Sequence, residues 1–509
     1  MSAPLGHAWT RPAPLLALGA LAVTALAMAL EGCAVGPDFH RPAPPDTAGY
    51  LHASAAAAPT GGQPAPAQPE TRDLQQLQLG AELAGQWWQL FHATELDAVV
   101  RTALNHSPTL MAANATLAQA REQVNVARAA LLPSVGFTAA AQRASGGAGL
   151  YSVGLAASYS ADIFGGVRRN IEQQQAIAEY QRDELGAAYL TLTGEVVNEV
   201  LTISSTRLQI VTINDLIGID RKNLLLAQRE FAVGIGTRAD VLTADAQLAA
   251  DLTQLPELQK QLEQAYDQLS VLAGEAPGRW RVAPFDLQQF TLPRQLPVSL
   301  PSQLVRQRPD VLAAESQLHA ASAAIGVAVA QEFPDITLSG SLTRQALQAA
   351  DLFHQFDTLW GVNGALTQPI FKGGALRAQV RAARDVFTAQ AASYRSVVLE
   401  ALGQVADDLW GLQYDATLLT VDRHAVDVAS EALQLQQQSY TVGTTNVLSL
   451  ITAQRTYAQA RLGYVSAQVQ QFEDTAGLLV ALGGAWWNAP GGLSAGAAVT
   501  AGPRAVSGR

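Results

Sequence analysis

One cysteine, Cys33, occurs in 509 residues, so no disulfide can form within the chain. Lysine is almost as scarce. Lys222, Lys260 and Lys372 are the only three, the formal net charge is −11, and no basic patch exists. Nucleic acid is therefore not expected as a partner. Charged residues make up 15% of the chain, against roughly a quarter in an ordinary soluble domain. That deficit suits helices packed on more than one side, or a surface partly in lipid. Beyond the N-terminus no stretch reaches the roughly 20 apolar residues of a spanning helix, so any membrane crossing would have to use strands. The eight histidines are scattered with no pair at metal-ligand spacing, and no phosphate-binding glycine loop precedes a lysine. Neither a metal nor a cofactor is expected. Gly492-Leu493-Ser494-Ala495-Gly496 matches the nucleophile-elbow pattern, but it lacks the flanking strand and helix that motif needs. The chain does not read as an enzyme.

What the chain does have is a duplication. Residues 108–133 align without a gap on 309–334, a shift of 201, so that Ala112, Leu117, Ala120 and Ala127 fall on Ala313, Leu318, Ala321 and Ala328. Further on the shift grows to 209, and Phe231, Val233, Gly234, Leu269 and Gly274 meet Tyr440, Val442, Gly443, Leu478 and Gly483. A period this long marks a duplicated half-protein rather than a solenoid. Each copy reads as two short strands followed by a long helical hairpin. The fold class is mainly α with a small β part.

Taken in order, residues 1–32 read as a targeting segment. Arg11 supplies a positive region, an apolar run follows over 15–30, and it breaks at Glu31-Gly32-Cys33. Leu30-Glu31-Gly32-Cys33 resembles a bacterial lipobox, which makes Cys33 the expected lipidation site. A cysteine that merely follows a cleaved signal is the plain alternative, and Glu31 departs from the usual pattern. Residues 33–84 form a Pro/Ala-rich extended arm that buries too little apolar surface to order itself. The first repeat spans 85–280, with strands at about 133–163 and a helical hairpin at about 166–274. The second spans 281–487, with strands at about 334–371 and a hairpin at about 374–483. A flexible tail takes up 488–509.

In Tyr151 to Ile163 every odd position is apolar or aromatic, while the even positions include Ser152, Gly154, Ser158 and Ser160. Ile336, Leu338 and Leu342, then Trp360, Val362 and Leu366, repeat the alternation in the second copy. A half-buried soluble sheet and a lipid-facing barrel wall both fit this pattern. The helical segments after the strands lack proline over 167–233 and 375–442, room for about 65 residues each, or roughly 100 Å at 1.5 Å per residue. Each meets a turn glycine, Gly234 or Gly443, and Pro256 is expected to kink or interrupt the first return helix. Four strands cannot close a transmembrane barrel, which needs at least about eight, and open edges are not tolerated in lipid. If the strands lie in a membrane, chains must pool them, and three chains would supply about twelve.

The segment Gly32-Cys33-Ala34-Val35-Gly36-Pro37-Asp38-Phe39-His40-Arg41-Pro42 resembles the mature start of TolC-family outer-membrane efflux lipoproteins of the NodT-like branch. Gln86-Trp87-Trp88, Arg306-Gln307-Arg308-Pro309-Asp310-Val311, Ala314-Glu315, Ile325-Gly326-Val327-Ala328, Phe333-Pro334 and Ala481-Leu482-Gly483-Gly484-Ala485-Trp486 are similar too. The resemblance implies a homotrimer with a twelve-stranded outer-membrane barrel, continued by a coiled-coil tunnel across the periplasm of a Gram-negative cell. It also implies a periplasmic adaptor protein and an inner-membrane pump, often of the resistance-nodulation-division type, and passive export of small molecules such as drugs and toxic compounds. A protein-secretion channel of the same family is the near rival, and a lipid-anchored periplasmic coiled-coil scaffold without a pore is the rival from another class. Related channels generally shut their periplasmic mouth with helix-end contacts and acidic rings after the second turn. Here Asn446, Ser449 and Thr452 stand where that pattern commonly has Asp. Closure is therefore expected to rely on Tyr440, Arg238 and Asp240 around Gly234 and Gly443, although these charges would also simply solvate helix ends.

Overall fold

A computed structural model describes residues 34–47, 49–51, 75–81, 83, 85–143, 149–354 and 356–488. The duplication is visible in helix lengths. Helices α1 (Thr94–His106) and α2 (Pro108–Ala129) precede strands β2 (Ser134–Arg143) and β3 (Gly149–Ala161), then α3 (Gly166–Ala232) and α4 (Arg238–Leu272). The second copy gives α5 (Pro301–Gln307), α6 (Pro309–Ala330), β5 (Asp335–Ala346), β6 (Asp357–Thr367), α7 (Ala375–Thr441) and α8 (Val447–Ala481). Helices α2 and α6 each have 22 residues, α3 and α7 have 67, and α4 and α8 have 35. Among the described residues no helix is long and apolar enough to cross a membrane.

The fold divides into two compact units, through both of which α3 and α7 run. Among the described residues the first holds 34–41, 118–143, 149–179, 315–354 and 356–393. Its centre is an antiparallel sheet in the order β2-β3-β5-β6. The pairing aligns Phe137, Leu155, Leu342 and Trp360 on one rung, and these four are 70%, 51%, 51% and 77% exposed. The opposite face carries small and polar side chains, as on the rung Ser134, Ser158, Ser339 and Asn363. Both faces are largely exposed in the single chain, so the apolar face lacks the core that covers it in a soluble sheet.

The start of the arm is held in this unit. The Val35 N–H donates to Phe164 O at 3.1 Å. Arg169, 5% exposed, reaches Val35 O at 3.1 Å, Asp38 Oδ1 at 2.7 Å and Glu172 Oε2 at 2.7 Å. Phe39 stacks on His319 at 4.4 Å, His319 contacts Glu172 at 3.0 Å, and Arg41 pairs with Glu315. A Cβ on Gly36 (φ 98°) would collide with the Gly326 backbone, and one on Gly326 with the Arg169 side chain and Val35 O. Motif residues far apart in sequence thus meet at one place. The guanidinium–carboxylate contact holds Asp38 below its ordinary titration range.

Among the described residues the second unit contains 42–47, 49–51, 75–81, 83, 85–117, 180–314 and 394–488. Its core gathers Trp87, Trp88, Phe91, Leu96, Tyr189, Val196, Leu269, Phe472 and Trp486. Each return helix ends against a short one. Gly274, after α4, abuts the His106 carbonyl at the end of α1, and Gly483, after α8, lies against Gln307 and Arg308 where α5 gives way to α6. Arg308 locks the second junction, donating to Ala481 O at 2.9 Å, Gln404 Oε1 at 3.1 Å and Asp310 Oδ2 at 2.7 Å.

Two elements differ from expectation. The arm contributes β1 (Gln76–Leu79), which pairs in parallel with β4 (Gln295–Val298), while Tyr50 donates to Ser299 O at 2.8 Å. The pairing partner is over 200 residues away in sequence, so local composition carried no sign of it. Pro256 lies inside α4, which runs unbroken through it. One lost N–H donor costs less than ending a helix held along its length by its neighbours.

Candidate functional site at the helix-hairpin turns

Helix α3 closes at Gly234, where φ is 81°, and α7 at Gly443, where φ is 76°. Nothing lies within 4 Å of a Cβ built at either glycine. Glycine is needed there for its left-handed backbone rather than for space. Ile235 and Gly236 N–H groups both donate to Glu230 O, at 3.0 and 3.1 Å, and Thr444 N–H donates to Ser439 O at 2.9 Å.

The residues after the turns are helix caps. Thr237 accepts from the Asp240 N–H at 3.2 Å, and Asp240 Oδ2 accepts from Thr237 N–H at 2.8 Å and its hydroxyl at 2.6 Å. These bonds draw the Asp240 carboxyl below its ordinary range. In the second copy Asn446 Oδ1 accepts from Ser449 N–H and Oγ, both at 2.9 Å. Asn446 and Ser449 are the repeat equivalents of Thr237 and Asp240, and the neutral pair keeps the N-cap bond without the reciprocal one that Asp240 makes. Thr452 donates to Leu448 O at 2.9 Å within its own helix. Arg238 is exposed and makes no ion pair among the described residues.

The two hairpins are joined by other side chains. Ala227, Val241, Ala244, Val447 and Ile451 form a small buried cluster with Tyr440 against it. The Tyr440 hydroxyl donates to Glu230, and burial together with that carboxylate pushes the phenol up to about 12. Just behind, Asn223 Nδ2 donates to Gln454 Oε1 at 2.5 Å, Arg455 donates to Gln247, and Gln247 Nε2 donates to Asp251 Oδ2 at 2.9 Å. Tyr440 therefore meets Glu230, and not Arg238 or Asp240. Glu230, Asn223, Gln247 and Gln454 were not singled out from the sequence, since polar residues on a helix read as solvated face. Cys33 lies outside the described residues. Among the described residues no three His, Cys, Asp or Glu side chains stand together as a metal ligand set.

A family model described as outer membrane efflux protein matches residues 99–275 and 300–484. The chain belongs to that family. This efflux protein is 32% identical over 439 residues to the pyoverdine export outer membrane protein OpmQ of Pseudomonas aeruginosa, across 80% of this chain and 89% of that one. Nodulation protein T of Rhizobium leguminosarum bv. viciae is 27% identical over 478 residues, across 91% and 93% of the two chains. Among solved structures, the outer-membrane channel OprN superposes with a TM-score of 0.79 at 27% identity, across 89% of this chain and all of that one. With the family come the fold, the outer-membrane location and the role of an efflux channel. The relatives are channels, not enzymes.

Proposed function

We propose that this efflux protein is the passive outer-membrane conduit of a tripartite system, a homotrimer that exports small molecules delivered by a periplasmic adaptor and an inner-membrane pump. The observation that carries this reading is the four-stranded sheet with its apolar face uncovered and its two outer strands unpaired. Unpaired backbone groups in lipid cost several kcal/mol each, so the edges must be closed by further copies. Relatives named for pyoverdine, toluene and antibiotic export favour small molecules over secreted proteins as cargo. Native mass spectrometry in mild detergent should give three copies, and a stable folded monomer in bilayers would contradict the proposal.

Lipidation at Cys33 belongs to the same reading. Ala34, the residue after it, packs on Gly165 at the junction where β3 passes into α3. Mass spectrometry of the mature N-terminus should find a diacyl or triacyl cysteine. An unmodified terminus, or one beginning elsewhere, rejects it.

The turns lie a 67-residue helix away from the strands along the chain and are the natural place for closure. Tyr440, Arg238 and Asp240 are proposed to hold the mouth shut together with the packing between hairpins. Replacing Arg238 and Asp240 by Ala should raise single-channel conductance, while Ser449→Ala and Thr452→Ala should change it little. Ser449 and Asp240 occupy equivalent cap positions, so equal effects would mean that only helix capping was lost.

A further inference from the structure

Strand pairing sorts every side chain of the four-stranded sheet onto one of two faces, and the charges sort with them. Among the described strand residues, the charged side chains of the small and polar face are both acids, Asp335 and Asp357. Those of the apolar face are both arginines, Arg143 on β2 and Arg344 on β5. The repeat relates the two. The shift of 201 places Val135 on Ile336 and Arg143 on Arg344, and their paired residues Gly149 and Thr358 are related by the shift of 209. Each arginine thus follows the first apolar residue of its strand face by eight positions.

Helix α2 leads into β2 and α6 leads into β5, so both arginines lie toward the strand ends away from those helices. At about 3.3 Å per residue, eight residues cover about 26 Å of strand, or about 20 Å of height at a tilt of about 40°. The apolar band of an outer-membrane barrel is roughly 25 Å tall, and a charge on its lipid face costs least near the interfaces. Both guanidinium groups therefore reach the far edge of that band. Both side chains are exposed, and neither makes an ion pair among the described residues. Arg344 lies over the Phe356 ring, 4.2 Å from its centroid. Tyr151 sits between the two arginines on the same face, its ring against Gly149.

On the conduit reading the helices are periplasmic, so this rim meets the outer leaflet. We propose that Arg143 and Arg344 bind the phosphates of an anionic lipid headgroup there, with its acyl chains along the apolar face below. Arginine matches phosphate with paired donors on a planar fork, and no acid on that face competes for it. Strands β2 and β5 are two strands apart, and the β3 partners of the two arginines, Gly149 and Val153, are four residues apart. Their Cα atoms thus lie about 16 Å apart, a span that two arginine side chains can close onto one headgroup bearing two phosphates. A free phosphate would use the charges but not the apolar residues beside them, Ala139, Val153, Leu342 and Trp360. The inference rests on the reading that this sheet stands in lipid, and it adds the lipid chemistry its outer rim takes.

Lipid A, an acylated disaccharide with two phosphates, is the probe. The full chain in mild detergent should retain it in native mass spectrometry, and should retain the dephosphorylated form about tenfold less or weaker still. Arg143→Gln with Arg344→Gln should lower retention of lipid A by about tenfold or more, and each substitution alone by less. Arg143→Lys with Arg344→Lys should keep part of it, because the charge remains. Arg121→Gln, at an exposed arginine of α2, should leave retention at the native value. Excess inorganic phosphate should not displace the lipid, and displacement would reassign the arginines to a free anion and overturn the proposal. Equal retention of the two forms by the native chain, or of lipid A by the native and double Gln chains, also overturns it. If that native chain still inserts into phosphatidylcholine vesicles, the membrane reading stands without the site. A native chain that neither inserts nor retains lipid A removes both.

Discussion

Leu155→Arg should hinder assembly into membranes by about 2–4 kcal/mol, the cost of arginine at the lipid face near the midplane. Leu155 lies mid-strand on the rung shared with Phe137, Leu342 and Trp360, all on the uncovered apolar face. Ser158→Arg, on the small and polar face, should be far milder, because that side would line the lumen, where a guanidinium stays hydrated. The check is the folded fraction of each variant in lipid vesicles over a urea series. Equal losses for the two variants would mean that the faces are misassigned or that the sheet is not in lipid.

The helical part should lose stability as pH rises from about 5 to 8, opposite to the usual acid lability of salt-bridged proteins. Two aspartate clusters are responsible, Asp220 with Asp251, and Asp415 and Asp408 around Asp474. Asp220, 4% exposed, faces Asp251, and its Oδ2 has no donor among the described residues. Burial and the neighbouring Asp251 push Asp220 up to about 7, with Arg455 opposing. Asp415, 6% exposed, faces Asp474 and is raised to about 7 by burial and that carboxylate. Asp408 follows to about 6, raised by burial, Asp474 and Asp407 against Arg308. An unfolded aspartate titrates near about 3.9, so the folded state binds extra protons between these limits. The contribution is therefore fully present below about 4 and is lost as pH rises through 6 to 7. Allowing for solvent screening, each cluster should account for on the order of 1 kcal/mol. Denaturation midpoints at pH 5 and 8 check this, and Asp220→Asn with Asp415→Asn should flatten the difference. A midpoint that rises with pH in the native chain would refute it. The carboxylates whose pKa is lowered, Asp38, Asp97 and Asp240, act with the opposite sign and below about pH 4.

The elements were legible wherever local period and repetition spoke together. Both 67-residue helices, both return helices and all four long strands follow from proline-free spans, alternation and the turn glycines. What escaped depends on contacts between distant residues. Gln76–Leu79 becomes a strand only because β4 is beside it. Tyr440 finds Glu230 across 210 residues, a pairing no local spacing encodes. The cap role of Asn446 and Ser449 was within reach, since the repeat places them on Thr237 and Asp240. Asp474 left a faint mark as well. Gly411 stands opposite it, where a Cβ would collide with the carboxylate, so a glycine inside a long helix was the sign of a closely packed acid across the interface.

Single-channel recording in planar lipid bilayers tests the central claim most directly. Purified trimers should insert through their pooled strands and conduct ions in discrete steps, with the Arg238→Ala, Asp240→Ala double variant conducting more than the native chain. If trimers of both the native chain and that variant associate with the bilayer yet carry no current, the chain is a membrane-attached scaffold and not a channel.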